Sequence, residues 1–463
     1  MMAYDRESLI SDPLYGYIAF TPARTTGEIA EQTIIDHPWV QRLRHIHQLQ
    51  SAWWVYSSAE HTRFQHVLGA MHLAGRAARQ LYPSLADAVG NAGLPSPAYV
   101  ESLVRMAALL HDVGHGPYGH FFDDHYLDEF GLTHEDLGQH IILNELGDLV
   151  RGIRATPHAA LPAHEMLQPE HIAYLIKRPT QSEPEAPAWL RLLRALFSGV
   201  YTVDNMDFVL RDSYMAGHGP RAFDLDRLLH YSFFTPQGFT LHDRGTSALV
   251  HFIEARGELF RSLYFHRTVR AIDLSMAELF RPTLHALLPG GPLASLERFR
   301  ALTEWSLIVD VERWKGDSDP ERRRLGVAWQ DVLNRRIRWR MACERTVRFE
   351  AGQPELTSIF TDAELVERRV RAQLPPGLRG LPFCADVARH YHRPAGAAAA
   401  RQNFVYEPAT GQLRCLHEHE LLARLPLSFS LCRLYALDHV HDAELAMALD
   451  RLLESRGDDK TNM

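Results

Sequence analysis

The chain of 463 residues has only four cysteines, Cys343, Cys384, Cys415 and Cys432, set singly in its last third with no CxxC pair. That scarcity excludes a disulfide framework and a thiolate zinc site, and it predicts reduced thiols in a cytoplasmic protein. Long apolar runs are lacking too. A stretch such as Met106 to Leu110 holds five apolar residues, whereas a membrane-crossing helix needs about 20. Asp5, Arg6 and Glu7 stand where a secretory signal would be apolar, so neither membrane spanning nor secretion is expected. Positive charge is in deficit: 49 Lys and Arg against 57 Asp and Glu leave −8. The field of the whole molecule therefore does not draw a nucleic-acid backbone, and an anionic substrate must be met by local groups. With 29 Gly and 26 Pro the chain is neither collagen-like nor of low complexity. What it has is 46% hydrophobic residues, enough for a large core, and 27 histidines, many of them between Asp36 and His140.

Apolar residues Val100, Leu103, Val104, Ala107, Ala108 and Leu110 recur at three- and four-residue steps, which predicts a half-buried helix stopped by Gly114. Further helices are expected over 62–81, 191–215 and 246–279, so the N-terminal half reads as nearly all α. Six prolines between Gly152 and Pro187 predict loops around short helices. After Pro289, Gly290 and Gly291 the texture changes to an Arg-rich segment from Arg322 to Arg348 and short runs, as at 425–431, where β pairing is expected. The predicted fold is mainly α, with a helical domain over 1–290 and a smaller α+β region over 291–463. Segments 394–400 and 455–463 read as flexible by composition. Arg335, Arg336, Arg338 and Arg340 read as a solvated charged face, and nucleic-acid binding is not favoured.

The chemistry concentrates in His111-Asp112-Val113-Gly114-His115-Gly116-Pro117, where a helix ends and adjacent imidazole and carboxylate groups can converge on one cation. That donor mixture suits a transition metal (manganese, iron, nickel or zinc) better than magnesium or calcium, which prefer oxygen shells. A lone His-Asp pair is common. Here His66 precedes it by about one helix and Asp204 follows on another, giving the order His, His-Asp, Asp, a four-ligand set from three segments.

In that order the sequence resembles the HD-domain phosphohydrolase superfamily, and more narrowly the deoxynucleoside triphosphate triphosphohydrolases. His61 to His66 reads HTRFQH against the family's xNRFxH. His111 to Asp123 reads HDVGHGPYGHFFD against HDxGHxPFxHxxD, Leu132 to Glu135 reads LTHE against WTHE, and Val203 to Asp212 reads VDNMDFVLRD against VDxxDYxxRD. The resemblance spans roughly residues 12–270. It implies an HD-domain helical core in which His66, His111, Asp112 and Asp204 hold one divalent transition metal, with magnesium on the substrate phosphates. It implies hydrolysis of dNTPs to deoxynucleoside and inorganic triphosphate, with His120 as the proton donor and His134, Asp123 and His115 assisting. It assigns substrate contacts to Gln48, Leu49, Arg63, Asp207, Asp212, Arg256 and Tyr264. Asp36, Gln41 and Arg44, with His266 and Arg267, match a GTP or dNTP effector site at a subunit interface of a homo-oligomer. Three positions depart from the pattern: Asn205 replaces a basic residue, Phe208 a tyrosine, and Ser8 a lysine of relatives with the effector site. The alternatives are an HD-type phosphodiesterase or nuclease, and a non-catalytic nucleotide-binding scaffold.

Overall fold

A computed structural model describes residues 7–90, 93–177, 185–219, 221–349, 359–391, 403–420, 425 and 428–454. It contains two compact units: residues 1–259, 284–310 and 394–422 form the first, and 260–283, 311–393 and 423–463 the second. Where the sequence suggested one cut near 290, the units interleave along the chain. The expected flexible segments 394–400 and 455–463, and Pro179 and Pro184 of the proline-rich stretch, lie outside the described residues.

The first unit opens with a hairpin, β1 (Ser8–Asp12) and β2 (Gly16–Phe20). The Asp12 carboxylate accepts from the backbone N–H groups of Leu14 and Tyr15, and Gly16 supplies the left-handed φ of +73° that the turn needs. Helix α1 (Arg63–Val89) starts at a capping box formed by Thr62 and Gln65. It runs eight residues past the expected end at 81, through Pro83, because the apolar stripe continues: Leu81 and Leu85 are both buried. Helix α2 (Pro97–Leu110) begins with Ser96 as cap and Pro97 at its first position. Val67, Met71 and Ala74 of α1 and Leu103, Val104 and Ala107 of α2 are fully buried, and the two helices pack along their length. At Gly75 a Cβ would stand 3.0 Å from the Arg105 guanidinium, which pairs with buried Glu31 at 2.6 Å. Short α3 (His120–His125), α4 (His134–Asn144, capped by Thr133) and α5 (Pro169–Ile176) follow.

The helix expected over 191–215 is broken. Its second part is α6 (Val203–Met215), capped by Thr202, and the break is held by remote Asn403, whose side-chain oxygen accepts from the Val200 N–H at 3.1 Å. A second hairpin, β3 (Ser232–Thr235) with β4 (Gly238–His242), adds to β1–β2 in an N-terminal half that is otherwise nearly all α. Beyond α7 (Thr246–Leu259), the helix expected through 279 is interrupted by a π-turn at Phe260–Tyr264 and restarts as α8 (Arg267–Leu287), where His266 Nδ1 accepts from the Thr268 N–H. Helices α9 (Glu304–Trp314) and α10 (Pro320–Leu333) precede strand β5 (Arg340–Phe349).

In the second unit β5 and β6 (Phe383–Tyr391) flank β9 (Ser428–Ala436) in an antiparallel sheet. Its buried residues, among them Phe349, Cys432 and Leu434, pack with Val366 and Val370 of α11 (Ala363–Gln373) and Leu445 and Leu449 of α12 (Asp442–Glu454). Burial pushes the Cys432 thiol up to about 12. Strands β7 (Asn403–Glu407) and β8 (Gln412–Cys415) belong to the first unit, where β7 runs parallel to β4. Among the described residues no helix is long and apolar enough to cross a membrane.

Candidate active site

Helix α2 ends at Leu110 and the chain turns through 111–114. Only glycine fits at 114, where a Cβ would lie 2.0 Å from the carbonyl oxygen of His134. This close approach seats the turn on the first turn of α4. His111 Nδ1 faces the Ala108 carbonyl at 2.8 Å, and His66 Nδ1 faces Asp207 at 2.8 Å. Both contacts place the ring proton on Nδ1 and leave Nε2 for the pocket. The two Nε2 atoms stand 3.3 Å apart. Asp204 Oδ1 lies 3.1 Å from His66 Nε2 and 3.6 Å from His111 Nε2, while Asp112 Oδ1 is 3.3 Å from His111 Nε2 and its Oδ2 4.0 Å from His66 Nε2.

These residues fit a divalent cation. Ligands about 2.1 Å from a tetrahedral ion stand about 3.4 Å from one another, and two imidazole nitrogens at that separation, each backed by an acceptor behind the ring, have a shared cation as their natural partner. His66, His111 and Asp112 each bring a ligand atom within 4.8 Å of the others, and Asp204 closes the group from the side of the histidines. Burial disfavours a charged His66, but its hydrogen bonds to Asp204 and Asp207 outweigh that and raise it to about 10. Burial likewise opposes the charge on Asp112, yet His111 and Arg63 hold its carboxyl well below the usual range.

A second cluster adjoins the first. His115, His120, Asp123 and His134 also bring ligand-type atoms within 4.8 Å of one another. Fully buried His115 links the two, with Nε2 3.4 Å from Asp112 and Nδ1 3.8 Å from Asp123, and its ring stacks on that of His134 at 3.8 Å. Asp123 Oδ2 meets His134 Nδ1 at 2.5 Å and His120 Nδ1 at 3.3 Å. Burial resists ionisation of Asp123, but His115, His120 and His134 hold its carboxyl far below the usual range. His120 has a side chain 54% exposed; His134 keeps 14%.

The expected substrate residues fall into two groups. Gln48 and Leu49 lie beside the start of α1, where the Gln48 N–H donates to the His61 carbonyl; Leu49 is buried and Gln48 Oε1 is buried with no hydrogen-bond partner. Asp212 is buried and meets His61 Nε2 at 2.8 Å. Arg256 donates to the Val200 carbonyl, and burial lowers its guanidinium to about 10 against the pull of Asp204. Arg63 and Asp207 instead brace residues of the candidate cation pocket. Arg63 Nη1 donates to Asp112 at 2.7 Å beneath Gly119, where a Cβ would strike its guanidinium at 2.2 Å. Asp207 is fully buried behind His66, its oxygens taken by His66, Arg211 and Tyr15, so it faces no substrate. Tyr264 lies in the second unit, packed on Phe260 with ring centroids 4.7 Å apart.

Of the expected effector residues, Gln41 and Arg44 are joined at 2.8 Å, Gln41 donates to the Ile35 carbonyl, and Asp36 accepts from Gln32. Arg267, in the second unit, lines a cavity of about 700 Å³ with Arg335, Arg336, Arg340 and His439; His266 caps α8. Arg336 and Arg338 also pair with Asp331 and Glu278. Sequence reasoning missed Asp12 and Tyr15. They sit on the hairpin and reach the back of the site, Asp12 through Arg211 at 2.9 Å and Tyr15 Oη through Asp207 at 2.8 Å, with no motif to mark them.

The helical core thus brings a His, His-Asp and Asp set around one pocket whose donors fit a divalent cation. A family model described as the HD domain matches residues 63–186. The chain is 28% identical over 306 residues to the bovine deoxynucleoside triphosphate triphosphohydrolase SAMHD1, covering 60% of this chain and 47% of that protein. It is 26% identical over 278 residues to the uncharacterized protein YwfO of Bacillus subtilis, covering 59% and 55%. The chain thus spans about half the length of these relatives. A crystal structure of a hypothetical protein from Aquifex aeolicus superposes with a TM-score of 0.67 at 23% identity, covering 96% of this chain and 100% of that one, a likeness of fold. The resemblance to HD-domain dNTP triphosphohydrolases carried by the motifs is therefore met again in a comparison that covers 60% of the chain.

Proposed function

We propose that the protein hydrolyses deoxynucleoside triphosphates to deoxynucleoside and inorganic triphosphate. The observation that carries this reading is the junction of the two clusters at His115: a cation pocket and an exposed, carboxylate-backed histidine share one wall. His66, His111, Asp112 and Asp204 would hold a transition metal such as manganese, iron, nickel or zinc. When bound, such an ion lowers the pKa of a water and polarises a phosphoryl oxygen. Hydrolysis at the α-phosphorus would break its bond to the 5′-oxygen, which leaves as an alkoxide in need of a proton. His120 supplies it and Asp123 stabilises the charged imidazole beforehand, while His134 shares the same carboxylate. Gln48 and Leu49 select the sugar, and Asp212 and Arg256 contact the nucleotide. Asp36, Gln41 and Arg44 form one part of a guanine-nucleotide effector site in an oligomer, with His266 and Arg267 at a neighbouring effector.

Incubation with manganese and separate dNTPs, NTPs, cyclic nucleotides and single-stranded DNA tests the reading. Release of triphosphate in one piece from dNTPs is the expected result. Shortened oligonucleotides or opened cyclic nucleotides would replace it with a phosphodiesterase, and no turnover of any substrate with a stoichiometric metal would leave a binding scaffold.

A further inference from the structure

Among the buried carboxylates of the first unit that the mechanism leaves unused, one stands beside the proposed reaction site. Glu304, the first residue of α9, is fully buried. Its Oε1 accepts two backbone N–H groups, those of His47 at 3.1 Å and Tyr118 at 3.0 Å. Its Oε2 meets the His47 ring at Nδ1, 2.5 Å away. The imidazole is stacked on Trp53 at 4.4 Å, and its Nε2 reaches Glu60 at 3.3 Å. The segment just before Glu304 is tied down as well: buried Arg42 donates to the carbonyls of Phe299, Arg300 and Leu302 and, on the opposite side, to those of Val113 and His115.

The two backbone positions that Glu304 holds flank the reaction site. His47 directly precedes Gln48 and Leu49. Tyr118 stands two residues before His120, and it is a non-glycine residue at φ +63°, followed by Gly119 at +56°. A bulky residue in that region persists only where its surroundings over-determine it. The Tyr118 N–H, presented by this unusual backbone, finds its acceptor in Glu304.

We infer that Glu304 is a positioning residue that fixes two walls of the site at once: the left-handed turn that aims His120, and the segment that carries Gln48 and Leu49. The inference rests on the proposed hydrolysis for its kinetic consequence and on geometry alone for the clamp itself. Burial disfavours a charged His47, but the bonds to Glu304 and Glu60 raise its pKa above the ordinary value, in keeping with an ion-paired anchor.

The test is Glu304→Ala in the full chain, read by kinetics, metal content and amide hydrogen exchange. With metal content unchanged, kcat should fall about 10-fold or more, as loss of alignment typically costs, while KM moves by less than about threefold. Discrimination of dNTP from NTP should narrow in the same variant. Exchange should quicken at His47 and Tyr118. Glu304→Gln, whose amide oxygen still accepts both backbone N–H groups, should restore most of kcat. In the double variant with His120→Ala, the loss from Glu304→Ala should vanish, which a general loss of stability would not do. Should Glu304→Ala not fold, His47→Phe, which keeps the stack on Trp53 and deletes the ring's bond, carries the same test with a smaller loss. Unchanged kcat, selectivity and exchange in a folded variant would overturn the inference, as would full additivity with His120→Ala. If the wild type hydrolyses no dNTP, the functional reading falls by itself and the clamp is decided by exchange at Tyr118 and His47.

Discussion

His66 is gripped from behind. Its Nδ1 meets Asp207, which is itself held by Arg211 and by the Tyr15 hydroxyl. Supporting carboxylates of this kind typically change metal affinity by about 10- to 100-fold, so Asp207→Asn should weaken metal binding by that order in a chelator competition while the fold survives. Asp204→Ala removes a ligand, and metal and activity should be lost together; full metal occupancy in that variant would refute the ligand set. His120→Ala should keep its metal but turn over about 100-fold more slowly, the usual scale of general acid catalysis, and an unchanged rate would transfer the role to His134 or to water. His72, stacked against Tyr15 at 4.9 Å, is lowered to about 4 by burial and by Arg76 and Arg105. Its folded pKa lies below the ordinary 6.5, so between those values the unfolded chain binds more protons than the folded one. Stability from this group is therefore present above about pH 6.5 and lost as pH falls towards 4. Acid unfolding of His72→Phe should show a shallower fall over that window than the wild type.

The turn after α2 shows how an element transmits such effects. Gly114 lets the turn touch the backbone of α4, which keeps His134 and Asp123 beside the cation pocket. Gly114→Ala forces the two apart, and a loss of roughly 1–3 kcal/mol is expected from overpacking, seen as a lower Tm together with a fall in kcat larger than the change in KM. At this scale the sequence was readable where the information is local. His66 and Asp204 sit at helix positions whose apolar neighbours set the buried face, and His111 and Asp112 stand in the glycine-rich turn in which α2 ends as its pattern predicts. Asp207, three residues after Asp204, lies on nearly the same helix face yet behind His66, a depth that the motif alone does not reveal. Asp12, Tyr15 and Glu304 were unreadable because each reaches the site from a distant segment with no periodicity or motif of its own. The break before α6 was hidden for the same reason: the acceptor that holds the Val200 N–H is on Asn403.

For the whole molecule the sharpest question is regulation. If Asp36, Gln41 and Arg44 read a guanine nucleotide between subunits, GTP should enlarge the particle seen by light scattering and raise dNTP hydrolysis, because a ligand that prefers the assembled state shifts the population towards it. If the family resemblance extends to that site, Ser8 in place of a lysine would weaken the grip on the effector's phosphates, and high GTP concentrations should be needed. Equal size and equal rate with and without GTP, unchanged by Arg44→Ala, would make the enzyme constitutive and the patch structural. The hairpin adds a consequence of another kind. Asp12 and Arg211 are paired across 199 positions of chain, and Tyr15 and Asp207 across 192. On the ribosome, His66 and the His111–Asp112 pair emerge long before Asp204 and the groups that brace them. A half-made pocket has two of its three ligand-bearing segments and none of its bracing from Asp207, so a cation met early is held weakly and exchanges. If the pocket takes a metal, its loading is expected late in biogenesis, and pulse-labelled chains stalled before residue 204 should retain far less metal than chains released just beyond residue 212.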